Sequence, residues 1–188
     1  KTFDQIHKLK VNLPKGSSEG TIALESTEVI QSFGDFQDLH ETTKYIAYGE
    51  SNNLKVFANG IHHPVTNFED PNIVCGQAIA RQEFGISKGT FWSPSGHLLA
   101  FYQKDESNVT TYPLVDIGQT PASLFNIKYP MAGQESEMAS IGVYDVAQKT
   151  TVYLKTEGES DQYLTNLGWG PQSEYIYLAI VNRAQNQL

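Results

Sequence analysis

Phe91-Trp92-Ser93-Pro94-Ser95-Gly96-His97-Leu98-Leu99-Ala100-Phe101 aligns, residue for residue, with Gly168-Trp169-Gly170-Pro171-Gln172-Ser173-Glu174-Tyr175-Ile176-Tyr177-Leu178 at an offset of 77 residues. Each copy has Trp, one residue, Pro, a polar turn and then an apolar strand. A weaker copy, Leu39-His40-Glu41-Thr42-Thr43-Lys44-Tyr45-Ile46-Ala47-Tyr48, lies 53 residues upstream of the first. Blades of a β-propeller recur at roughly 40–50 residues, so both offsets call for inserted loops. The physical sense is a strand ending in a large ring, a turn, and a second strand that fills the core of a blade.

The flanking sequence has the same style. Tyr45-Ile46-Ala47-Tyr48 and Leu54-Lys55-Val56-Phe57 flank Glu50-Ser51-Asn52-Asn53, and Asn59-Gly60 follows. Short apolar runs around Asn-rich turns are a hairpin signal. Leu98–Tyr102, Ile141–Val146, Thr151–Leu154 and Tyr175–Ile180 continue it, with no sustained 3.6-residue period. The expectation is an all-β chain: about three four-stranded propeller blades over residues 44–188, after an irregular piece or partial blade at residues 1–43. Within that first piece, Phe3, Ile6 and Leu9 hint at one short amphipathic turn, Pro14–Gly20 reads as a loop, and Thr21–Ile30 fits a strand or a helix.

Composition narrows the function classes. The 188 residues carry a net charge of −8, which disfavours nucleic acid or an anionic membrane as partner, since both reward a basic face. No apolar run approaches the ~18 residues needed to span a bilayer as a helix. Cys75 is the lone cysteine, so no internal disulfide is expected. Lys1 is not an initiator Met, and the chain reads as a processed or cut-out piece.

Few residues offer chemistry. Gly16-Ser17-Ser18-Glu19-Gly20 matches Gly-x-Ser-x-Gly formally, but the run before it is short and ends in Pro14, so it reads as a flexible loop and Ser18 is not assigned as a nucleophile. His62-His63 would point to opposite faces if they lay on a strand, which argues against a shared metal ion, and the pair reads as a turn with two exposed imidazoles before Pro64. No metal or organic cofactor is expected. Arg81-Gln82-Glu83-Phe84-Gly85-Ile86, just before the Trp92 strand, reads as a short helix or loop reaching over the propeller. Glu83 there is either a solvated surface acid or a carboxylate that pairs with a cationic ligand group such as a peptide α-ammonium.

From Gln77 to Asn186 the chain resembles the propeller domain of the dipeptidyl peptidase IV family, serine exopeptidases of the prolyl oligopeptidase group. The resemblance rests on Gln82-Glu83-Phe84, Phe91–Gly96, Leu99–Tyr102, Asp105–Thr110, Tyr112–Asp116, Lys128-Tyr129-Pro130-Met131-Ala132-Gly133 and Val181-Asn182-Arg183-Ala184-Gln185-Asn186. It implies an eight-bladed propeller that gates a catalytic α/β-hydrolase domain absent from these residues. It also implies removal of N-terminal dipeptides or tripeptides after Pro or Ala. Propeller acids in that family hold the free amino terminus of the substrate. Glu83 takes the place of one such acid, and Gln82 stands at the neighbouring acidic position, where it supplies a weaker, uncharged acceptor. Ala184 departs from a frequent Asp. The resemblance further implies peptide substrates, the hydrolase domain as covalent partner, and an exported location in a bacterial periplasm or cell envelope. An open arc of blades leaves unpaired strand edges, so dimerisation (a homodimer), strand exchange or poor solubility is expected of this piece alone.

A rival reading belongs to another class. A non-catalytic propeller of the periplasmic Trp-Ser-Pro-Asp-Gly type, serving as a protein-interaction module, would show the Trp-Pro repeat. It has no reason to carry Gln82-Glu83-Phe84 together with Tyr129-Pro130-Met131-Ala132-Gly133. A family member that has lost its triad is a third.

Overall fold

The computed structural model describes residues 5–12, 21–29 and 33–188, without the side chains of residues 5–12, 24–29, Arg81 and Gln82. The chain is built almost wholly of antiparallel strands. The first two, β1 (Gln5–Asn12) and β2 (Thr21–Val29), pair with each other, with a register irregularity at Lys8/Leu9. This corrects the amphipathic turn expected from Phe3, Ile6 and Leu9. One turn cannot offset the cost of helix nucleation, whereas β2 supplies β1 with hydrogen-bond partners along its length. The formal Gly-x-Ser-x-Gly match lies outside the described residues.

The first blade is a four-stranded sheet in sequence order: β3 (Asp35–Leu39), β4 (Ile46–Glu50), β5 (Asn53–Ala58) and β6 (Ile61–Pro64). Its first strand comes from before residue 44. Both of its tight turns have two loop residues at positive φ, Ser51 and Asn52 at 50° and 64° and Asn59 and Gly60 at 52° and 78°. That geometry matches the twist of the flanking strands, which is why Asn and Gly occupy these places.

The second blade contains β7 (Ile73–Cys75), β8 (Thr90–Trp92), β9 (Leu98–Asp105), β12 (Met138–Asp145) and β13 (Thr150–Tyr153). Between β9 and β12 a separate hairpin is inserted, β10 (Thr111–Asp116) with β11 (Ser123–Lys128). β7 and β8 lie along the same edge of β9, Cys75 opposite Gln103 and Thr90 opposite Phe101. They act as one strand interrupted by residues 76–89. Tyr102 of β9 closes the gap, its N–H donating to the Gly89 carbonyl at 2.9 Å and its carbonyl accepting from the Gly76 N–H at 2.8 Å. A third sheet pairs β14 (Tyr163–Trp169) with β15 (Ile176–Val181).

The sequence repeat survives as a hydrogen-bond repeat. The three aligned turns close in the same way: the N–H groups of His40, Ser93 and Gly170 donate to the carbonyls of Tyr45, Leu98 and Tyr175 at 2.8–2.9 Å. Each turn has one residue at positive φ: Lys44, Gly96 or Ser173. The two tryptophans tie neighbouring blades, Trp92 Nε1 donating to the Asp38 carbonyl at 3.0 Å and Trp169 Nε1 to the Phe91 carbonyl at 2.8 Å.

β9 is buried on both faces. Leu99 and Phe101 pack with Leu54, Val56 and Tyr144 toward the first blade. Ala100 and Tyr102 pack with Ile79, Ile141 and Leu164 toward the third sheet, and the Tyr102 hydroxyl donates to the Leu164 carbonyl at 3.0 Å. This is why Leu98–Tyr102 reads as a continuous apolar run rather than an alternating one.

Candidate functional site

The interruption between β7 and β8 carries the segment that the sequence singles out. Residues Ala80–Gly85 form a short 3-10 helix. Its base is pinched: an added Cβ at Gly89 would stand 2.2 Å from the Gln77 carbonyl oxygen. Its stem is moored to the first blade, where Asp38 Oδ2 accepts from Thr90 Oγ1 at 2.8 Å and from Lys88 Nζ at 3.2 Å. Two non-glycine residues of the helix hold positive φ, Ala80 at 53° and Phe84 at 57°. Each left-handed residue costs about 1 kcal/mol or more, so the surrounding structure must impose the shape.

Two contacts do so. At the start of the helix, Ile79 has no side-chain acceptor to offer as a cap, and the Ala80 N–H instead donates to Glu137 Oε1 at 2.6 Å. Glu137 lies just before β12, 57 residues away in sequence. At the far end, the Phe84 ring packs on Tyr163 with centroids 5.1 Å apart. Tyr163 is also held by Arg183, whose guanidinium lies 5.2 Å from the ring centroid and donates to the hydroxyl.

These contacts surround a pocket of about 180 Å³, lined among others by Glu83, Tyr129, Glu137, Asp161, Tyr163 and Arg183. Ala80, Pro130, Ser136 and Gln162 complete much of its wall. It sits where β12 and β14 begin and β15 ends. Glu83 is exposed, whereas Glu137, Asp161, Tyr163 and Arg183 are half-buried. Of the three carboxylates in its lining, Glu137 is committed to the Ala80 N–H, which leaves Glu83 and Asp161 for a guest, and Arg183 is already engaged with Tyr163. The pocket therefore favours a cationic guest that brings several N–H donors.

Of the residues expected from sequence, Glu83 lines this pocket; the Gln82 side chain lies outside the described residues. Tyr129-Pro130 and Arg183, quoted above only as pieces of the resemblance, line it too. Glu137, Asp161 and Tyr163 were not anticipated. The acidic run Gln134-Glu135-Ser136-Glu137 was a signal, but nothing in it says which acid turns inward. His62 and His63 lie on β6 with their rings on opposite faces, which corrects the exposed turn expected before Pro64. His62 Nδ1 lies 2.8 Å from the Tyr48 hydroxyl, and His63 is buried, with its pKa lowered by desolvation and then by nearby Lys149 and His62. Among the described residues no group of three or more His, Cys, Asp or Glu is placed to hold a metal ion.

Residues 27–188 match the family described as the dipeptidyl peptidase IV (DPP IV) N-terminal region. A probable dipeptidyl-aminopeptidase B from Pyrenophora tritici-repentis is 26% identical over 120 residues, which is 56% of this chain and 14% of that protein. Dipeptidyl aminopeptidase B from Saccharomyces cerevisiae is 26% identical over 137 residues, 66% of this chain and 17% of that one. A crystal structure from Bacteroides ovatus, assigned as a dipeptidyl aminopeptidase IV, superposes with a TM-score of 0.74 at 40% identity and covers 95% of this chain and 25% of that one. Porphyromonas gingivalis dipeptidyl peptidase 4 shares the fold, with a TM-score of 0.72 at 23% identity over 80% of this chain and 22% of its own. The chain thus spans a quarter or less of the proteins it matches, and it belongs to the dipeptidyl peptidase IV N-terminal region family.

Proposed function

We propose that the chain is the propeller segment of a serine exopeptidase that removes N-terminal dipeptides after Pro or Ala, with Glu83 as the acceptor for the free α-ammonium of the substrate. The supporting observation is convergence. Glu83, Tyr129-Pro130 and Arg183 come from three separate stretches that carry the resemblance, and all three line one acid-rich pocket. An interaction propeller gives no reason for that meeting.

The mechanism divides between domains. Acyl transfer through a Ser-His-Asp constellation belongs to a hydrolase domain outside these residues. The propeller gates entry and measures the substrate from its amino end. A carboxylate about 4 Å from an ammonium gains roughly 4 kcal/mol at the effective dielectric near a protein surface. A peptide with a blocked amine leaves the carboxylate desolvated and unpaired. In this reading Gln82 supplies at most an uncharged acceptor. The parent protein acts in the bacterial periplasm or cell envelope. It is a homodimer in which a second copy covers the β10–β11 hairpin, whose Val115, Ile117 and Leu124 are 62%, 86% and 71% exposed.

The test uses the protein expressed from the complete reading frame. Glu83→Gln is expected to lower kcat/KM for a free-amine Xaa-Pro substrate by two orders of magnitude or more, with the melting temperature unchanged. Unaltered turnover would refute the role of Glu83. Absence of any Xaa-Pro hydrolysis by the unmodified protein would favour the non-catalytic propeller.

A further inference from the structure

We propose that Glu137 is a positioning residue for the amine site: it caps the Ala80–Gly85 helix from across the pocket and so fixes where Glu83 stands. This rests on the reading of Glu83 as the amine anchor and adds to it a residue that acts through another. The geometry is specific. Ala80 is the first residue of the helix and holds a φ of 53°, which an L-residue does not adopt unless constrained. The residue before it, Ile79, carries no acceptor. The acceptor is Glu137 Oε1, at 2.6 Å from the Ala80 nitrogen, a charge-assisted bond of the short kind. Glu137 is half-buried at the mouth of β12, a strand locked to β9 over eight residue pairs from Met138 to Asp145. The helix is thus referred to the centre of the second blade as well as to its own stem.

A single Glu83 anchor needs such a reference. With Gln82 beside it, no second carboxylate on the helix compensates for a misplaced Glu83, and a shift of about 1 Å in a positioning contact is enough to cost 10²-fold in rate. Tyr163 and Arg183 brace the other end through Phe84, so loss of Glu137 releases the amino end of the helix alone.

The experiment compares Glu137→Gln with Glu137→Met in the full-length protein, and Glu83→Gln beside them. Methionine keeps the bulk and removes the acceptor; glutamine keeps a carbonyl that the Ala80 N–H can reach. Glu137→Met is expected to lower kcat/KM for a free-amine substrate by about 10- to 100-fold, mainly through KM, with turnover of an N-acetylated analogue unchanged. Glu137→Gln is expected to stay within about three-fold of the unmodified protein. Four results overturn the proposal. Equal losses in the two variants would mean that the charge of Glu137 meets the substrate directly. Equal losses on free and acetylated substrates would mean a general structural role. A neutral Glu137→Met beside a crippled Glu83→Gln would sink the capping role and leave the amine anchor standing. A neutral Glu83→Gln would instead remove the anchor, and the capping role with it.

Discussion

Gly89→Ala is expected to disable the site from outside it. Gly89 stands at the base of the interruption that carries Glu83. A Cβ there would meet three backbone atoms of Gln77, the oxygen at 2.2 Å, the carbonyl carbon at 2.3 Å and the nitrogen at 2.5 Å. Ordinary contact begins about 1 Å further out, and backbone cannot swing aside as a long side chain does. The two arms of the loop must part, and the bond from the Tyr102 N–H to the Gly89 carbonyl is the one most exposed to the strain. Overpacking of this kind costs roughly 1–3 kcal/mol, and a buried N–H left unpaired adds roughly 1–3 more. The expected total is about 2–6 kcal/mol, concentrated in residues 76–89. The assay is amide exchange of the full-length protein, read at Gly76 and Tyr102, together with kcat/KM for a free-amine Xaa-Pro substrate. Protection should fall at both amides and kcat/KM should drop by about 10²-fold. Gly60→Ala is the control. Gly60 holds a φ of 78° with nothing within 4 Å of its missing Cβ, so the substitution costs about 1–2 kcal/mol of turn strain and leaves kcat/KM alone. A Gly89→Ala protein with native exchange and native kcat/KM would refute the pinched loop as the holder of Glu83.

Trp169→Phe removes the indole donor to the Phe91 carbonyl and should cost about 1–2 kcal/mol in urea unfolding; no loss would mean that the Trp-Pro repeat does not tie the blades. Tyr102→Phe should cost a similar amount near pH 8, because the Leu164 carbonyl loses its donor. Burial pushes the Tyr102 hydroxyl up to about 12 and the Cys75 thiol to about 11. In the unfolded chain these groups ionise near 10 and 9, so that state binds fewer protons at alkaline pH, and stability should fall as pH rises from about 9 toward 12. Melting temperatures across that range check the sign, and Tyr102→Phe should flatten the slope above pH 10. Leu124→Asp, which puts a charge on the exposed hairpin opposite Val115, should convert a dimer to a monomer in sedimentation velocity. A dimer that survives it would move the interface elsewhere.

The fold was legible where local chemistry and tertiary environment agree. Ser51-Asn52 and Asn59-Gly60 are hairpin turns because their positive φ values suit those residues, and the sequence shows them without help. Trp92 and Trp169 mark the repeat because each indole N–H needs a partner on the next blade. Residues 5–12 were misread because one turn of apolar spacing is too short to decide between helix and strand, and the partner β2 decides between them. The pocket was legible only in part. Glu83 could be picked out because it sits in an amide-rich segment before a strong landmark. Glu137 could not, since its meaning is a bond to Ala80 across 57 residues, and sequence spacing carries no trace of it. Tyr163 was hidden for a similar reason: its role is the stack between Phe84 and Arg183, which exists only once the third sheet lies against the second blade.

That dependence explains why a propeller suits this task. A strand that runs unbroken along β9 would satisfy its backbone and offer no site. Here the strand is cut between Cys75 and Thr90, yet Tyr102 still bonds both cut ends, so the blade keeps its ladder while fourteen residues leave it. The excursion is able to hold strained residues such as Ala80 and Phe84 because its own Ile79 and Ile86 are buried in one cluster with Tyr102 and Leu164 of the blades. Rigidity comes from the interface between blades, and charge comes from strand ends that meet at its rim. The anchor we propose at Glu83 is therefore only as well placed as the packing between the second and third sheets, and substitutions in that layer should be felt in substrate discrimination before they are felt in the shape of the fold.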